Sequence, residues 1–222
     1  MRNSPGRHIY RNIANATSIL GVLPLGLLFL EGGYQFLFPI IIFNNVMDDL
    51  DGILAGALNI RSRFGANLDN VCDAIAHVTL ALVAGAHFGG WVLFASLFAA
   101  TAVILRATSR LNPGQAAAGG TPTNELMRHL LLLLLLAQAW EFEPSATLIA
   151  LFSLHAVSMF MPFHFPVLIR GLARNAIMIA LVNVALVLAW LVPAVLPFLA
   201  AIFIGTYLFS FVLGGGRWIW SR

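Results

Sequence analysis

The stretch DDLDGILAGALNIRSRFGANLDNVCD, residues 48–73, holds five of the nine acidic residues in a chain of 222. On a helix, Asp48 and Asp51 are three apart and Asp69 and Asp73 four apart, so each pair lies on one helix face. The NIRSR connection between them is short enough to make the two helices antiparallel neighbours. Four carboxylates then converge at one end of a helix pair. Asp49 points away from the Asp48 and Asp51 face and reads as a residue facing water at a helix end.

The surroundings of this window are built for lipid. Sixty per cent of the residues are hydrophobic and 9% are charged, with a mean hydropathy of +0.89, whereas about 25% of residues are charged in soluble domains. The chain reads as an integral membrane protein and a single membrane domain over residues 1–222. Polar and Gly/Pro interruptions divide it into eight candidate spans, near 13–31, 34–58, 63–86, 91–110, 124–140, 145–162, 173–190 and 194–213. The leader MRNSPGRHIYRN precedes a run long enough to span, which is read as a retained first helix. The fold expected is therefore all-α: a polytopic bundle of about eight transmembrane helices.

Charge supplies the orientation. All twelve basic residues are arginines. With the N-terminus inside, every one of them falls on the cytoplasmic side, while Glu31, Glu141 and Glu143 fall on the other. Both termini and the 112–124 loop are then cytoplasmic, and the expected location is the cell (inner) membrane with the active site facing the cytoplasm. A formal charge of +3 and a pI near 9.8 are thus a topology signal, and no nucleic-acid partner is expected.

An aspartate at mid-membrane costs about 2.5–3.5 kcal/mol on insertion scales, so four together need compensation. The chain has no lysine. A divalent cation compensates most economically, and an all-oxygen ligand set favours Mg2+, Mn2+ or Ca2+ over zinc. Gly52, Ala55 and Gly56 beside Asp51 permit two readings, close helix packing or a flat ligand approaching the backbone. The single cysteine, Cys72, reads as a small packing residue. The leucine run 130–136 reads as lipid-facing helix. His77, one turn beyond Asp73, reads as a polar core contact, Glu125 and His129 as either a second polar pair or the wet start of the fifth span, and Arg106 and Arg128 as cytoplasmic anchors.

The window resembles the signature of the CDP-alcohol phosphatidyltransferases, D-x-x-D-G-x-x-A-R, eight residues, then G-x-x-x-D-x-x-x-D. Asp48, Asp51, Gly52, Ala55, Gly65, Asp69 and Asp73 occupy its positions, and Gly56 stands where the family has arginine. FGANLDNVCDAIAH (64–77), SRLN (109–112), GTP (120–122) and VSMFMPF (157–163) are similar to segments of the phosphatidylserine synthase branch. The resemblance implies an enzyme of phospholipid synthesis that transfers a phosphatidyl group from CDP-diacylglycerol to a small alcohol, L-serine in that branch, and releases CMP. It implies that Mg2+ or Mn2+ is held by the acidic set Asp48, Asp51, Asp69 and Asp73, with Asp73 also serving as general base. Gly52, Ala55 and Gly65 would line the nucleotide side, and Arg110 and Asn112 would hold the acceptor. Arg61 or Arg63 would stand in for the arginine missing at Gly56. A homodimer in membrane lipid is the expected assembly. Two alternatives accompany this reading: glycerol 3-phosphate or an inositol phosphate as acceptor, and a non-catalytic member that has lost its arginine.

Overall fold

A computed structural model describes residues 5–111, 122–163, 165 and 175–222, with side chains described from Asn12 onward. Among these residues the chain is all-helical. Eight α-helices follow in order: α1 Pro5–Val22, α2 Leu37–Ala57, α3 Arg63–Phe88, α4 Gly90–Leu111, α5 Asn124–Ala139, α6 Ser145–Met159, α7 Ala176–Leu191 and α8 Leu196–Trp220. Two short 3-10 segments, Leu23–Phe29 and Gly33–Phe36, join α1 to α2. Pro24 sits in the first turn of the former, where its missing N–H costs nothing.

Among the described residues three helices are long and apolar enough to cross a membrane, α3, α4 and α8, and residues 13–29, α6 and α7 are shorter apolar helices. The outward-facing residues agree, with Phe94, Ile177, Phe198 and Val212 all more than 60% exposed. A surface of that kind is solvated by acyl chains and not by water.

The α3–α4 hairpin turns on Gly89 and Gly90, whose φ angles of 67° and 49° are open to glycine at no steric cost. Helix α4 packs between α3 and α6, and α1 lies across α2 and α3. Helix α5 touches α2, α3, α6, α7 and α8, which corrects the expectation for the leucine run. Leu130, Leu131 and Leu132 are fully enclosed, and Leu134 and Leu135 nearly so. A helix apolar on all sides belongs to the core when enough neighbours surround it; composition alone does not distinguish that from a lipid-facing helix.

Candidate metal centre

The acidic window folds as a helix pair with a capped turn. Helix α2 closes through Leu58 N–H donating to Leu54 O and Ile60 N–H donating to Ala55 O. Asn59 takes a φ of 53°, a left-handed conformation that asparagine tolerates better than most residues. Ser62 then caps α3, its hydroxyl accepting from Gly65 N–H at 2.9 Å. A Cβ on Gly65 would lie 3.0 Å from Asn15 Oδ1 and 3.1 Å from Ser62 Oγ, so glycine here is what lets α1 and the capping turn close on α3.

The outcome is a three-carboxylate centre. Asp48, Asp51 and Asp69 each offer one oxygen, and all three oxygens lie within 4.8 Å of one another. That spread suits a single oxygen-ligated cation, whose ligands sit about 2.0–2.6 Å from the ion. Like charges this close repel one another unless a proton or a cation intervenes, and the donor set is all oxygen, so the residues present fit Mg2+ or Mn2+. Asp73, one turn further along α3, lies outside this triplet and is half-buried. Arg110 stands exposed in the last turn of α4, near enough for its charge to act on Asp69. Asn112 lies outside the described residues, as do Gly120 and Thr121.

Next to the acids is a cavity of about 290 Å³ bounded by α1, α2, α3 and their connecting turn. Asp51 and Asp69 line it together with Gly52, Ala55, Gly65 and Ala66. A Cβ on Gly52 would meet nothing within 4 Å, so this glycine faces open space and does not serve helix packing. Gly56 faces Arg61, whose Nη2 would lie 3.1 Å from a Cβ added there. The guanidinium of Arg61 thus occupies the space a side chain at position 56 would claim, and Arg61 also lines the cavity.

Two hydrogen-bond donors to the carboxylates were not foreseen in the sequence. Ser18 on α1 donates its hydroxyl to Asp51 Oδ2, and Asn124 at the start of α5 donates its amide to Asp48 Oδ2. Polar residues bordering apolar runs are the available signal, because they are costly inside a bundle unless paired.

Behind the acids lies a second polar cluster that corrects two expectations. Asp49 does not face water. It accepts from Asn183 Nδ2 on α7 at 2.7 Å and from Asn45 Nδ2 at 3.3 Å. Arg128 is no solvated anchor: it is 7% exposed, bonds Glu125 at 3.0 Å and Asn45 Oδ1 at 2.9 Å, and lies 3.9 Å from Asp49. The Glu125 and His129 pair is present, with Oε2 and Nε2 3.9 Å apart. His129 continues to His155 at 3.0 Å, and His155 stacks on Tyr207 of α8. His77 is buried, and its Nδ1 has no hydrogen-bond partner among the described residues. Cys72 is a free, buried thiol.

No curated protein matches the chain significantly. The model of the family described as CDP-alcohol phosphatidyltransferase matches residues 11–163, a segment that begins in α1, carries both carboxylate helices and ends just past α6. With that match over more than half of its length, and three of the four signature aspartates gathered at one centre, this chain belongs to the CDP-alcohol phosphatidyltransferase family.

Proposed function

We propose that this protein transfers the phosphatidyl group of CDP-diacylglycerol to L-serine and releases CMP. The family and the apolar helices carry the coarser statement: an integral membrane enzyme of the phosphotransferase class, acting in phospholipid synthesis by phosphatidyl transfer. The observation that supports the chemistry is the convergence of Asp48, Asp51 and Asp69 beside a cavity walled by small residues.

In this reading Asp48, Asp51 and Asp69 would hold Mg2+ or Mn2+, with Asp73 completing the acidic site. A cation held there would neutralise the diphosphate and the charge that develops on departing CMP. Gly52, Ala55 and Gly65 admit the nucleotide, since side chains there would fill the cleft. Arg61 contributes the cation that the family pattern places at position 56. Asp73 accepts the proton of the acceptor hydroxyl. The freed oxygen forms a bond to the phosphorus that carries the diacylglycerol, and the bond from that phosphorus to the CMP oxygen breaks. Position supports Asp73 as the base, since it lies one helical turn on from Asp69 on the same face of α3 and outside the ligand triplet. Arg110, with Asn112, pairs the carboxylate of serine, a charge-assisted bond of high directional preference.

The same reading makes residues 1–222 one membrane domain of eight spans. Both termini and the active site face the cytoplasm, and the homodimer sits in the inner membrane. The eight helices and the one-sided arginines support it. The decisive experiment offers the purified protein CDP-diacylglycerol with Mn2+ or Mg2+ and, in turn, serine, glycerol 3-phosphate, inositol phosphate and glycerol. CMP release with serine is expected. Turnover with a phosphorylated alcohol and none with serine refutes the acceptor while leaving the transferase chemistry intact. Absence of CMP release with every acceptor refutes the enzyme reading.

A further inference from the structure

Resting on the metal reading above, we propose that Asn124 is a positioning residue that aims the carboxylate of Asp48 at the ion shared with Asp51 and Asp69. Asn124 opens α5, 76 positions along the chain from Asp48, and its amide donates to Oδ2 of that aspartate. The terminal torsion of an aspartate side chain is broad. Engaging one oxygen with a fixed donor selects a direction for the other. A neutral amide does this without cancelling the negative charge that attracts a cation, which an arginine or lysine in its place would do. Ser18 stands in the same relation to Asp51 from the α1 side, so two of the three clustered carboxylates are held by neutral donors from helices outside the pair.

The aim of Asn124 depends on where α5 stands against α2, and a buried lock fixes that. Arg128, one turn on from Asn124, donates to Asn45 Oδ1 at 2.9 Å and to Glu125 Oε1 at 3.0 Å, and lies 3.9 Å from Asp49 Oδ2. Asn183 of α7 closes the set, accepting from Asn45 at 2.7 Å and donating to Asp49 at 2.7 Å. The first turn of α5 thus grips α2 at Asn45, Asp48 and Asp49. Neighbouring residues on a helix differ by about 100° around its axis. Rotation of α2 that would swing Asp48 off the centre must therefore break the bonds of Asp49 inside the bundle, where unpaired polar groups are expensive.

The test titrates Mn2+ into purified full-length protein in detergent and follows free Mn2+ by electron paramagnetic resonance. Asn124→Leu keeps the side-chain size and removes the donor. It should weaken Mn2+ binding by about tenfold or more, the range seen when groups orienting metal ligands are lost. Its melting temperature should stay close to wild type. Its transfer rate should recover at saturating Mn2+, a shift in metal requirement that a merely structural residue would not give. Asn124→Gln, which retains a donor, should regain part of the affinity. If the leucine variant does not fold, Asn124→Ala makes the same comparison. Mn2+ affinity within about twofold of wild type in the donor-free variant overturns the role of Asn124. A wild-type protein that binds no Mn2+ overturns the metal reading on which the proposal rests.

Discussion

Replacing Arg61 with alanine should raise the KM for CDP-diacylglycerol, and an arginine introduced at position 56 should recover the loss. The structure places Arg61 Nη2 3.1 Å from where a Cβ of residue 56 would lie, so the two positions address one space beside Asp51 and Gly52. A hydrogen bond to a charged group is worth about 1.5–3 kcal/mol. At about 1.4 kcal/mol per factor of ten, Arg61→Ala should raise KM by roughly ten- to hundredfold. In Gly56→Arg alone, two guanidinium groups would compete for that space. Unit charges about 4 Å apart repel by about 4 kcal/mol at an effective dielectric near 20, so no gain is expected from the single change. In the double variant Gly56→Arg/Arg61→Ala the repulsion is gone, and KM should return to within about tenfold of wild type. The assay is CMP release against CDP-diacylglycerol concentration in mixed micelles, at fixed Mn2+ and acceptor. Preference for serine should stay unchanged throughout, because only the nucleotide side is touched. An Arg61→Ala enzyme with wild-type KM, or a double variant no better than Arg61→Ala, would refute the shared-space argument.

Asp69→Asn and Asp73→Asn should each abolish transfer yet leave the protein folded, since both remove like charge from a crowded site. Asp69→Asn should also weaken metal-dependent CDP-lipid binding while Asp73→Asn largely spares it; equal losses measured by equilibrium binding would end that division of roles. Arg128→Met should be strongly destabilising, by about 3–5 kcal/mol, because it strands Asp49 and Glu125 without their buried cation, and thermal unfolding in detergent reads the effect. Arg110→Ala should raise the apparent KM for serine far more than that for CDP-diacylglycerol, the mark of a contact made to the acceptor alone. For the topology, single cysteines at Ser4, Thr121 and Ser221 in a Cys72→Ser background should resist an impermeant thiol reagent outside intact cells, and one at Ser145 should react.

The residues that determine the class of this protein are close together in sequence, and that is why they were legible. Spacings of three and four within a helix fix which carboxylates share a face, and a short connection forces the second helix back along the first. Asp48, Asp51 and Asp69 were therefore bound to meet whatever the rest of the bundle did. Helix positions were legible for the same reason, since helix length and apolarity are local properties. The surroundings of those residues were not. Asp49 sits one residue from a predicted ligand, yet its partner Asn183 is 134 positions away. The enclosure of Leu130–Leu132 depends on five helices packing around α5. Whether Gly52 faces a neighbour or an open cleft, and whether Arg61 reaches the space beside Gly56, are questions of close approach between elements. Periodicity shows which side chains share a face; only packing decides what that face meets. Ser18, Asn124 and Arg128 gained their roles there, because a polar group withdrawn from water must find its partner wherever the folded chain brings one within about 3 Å.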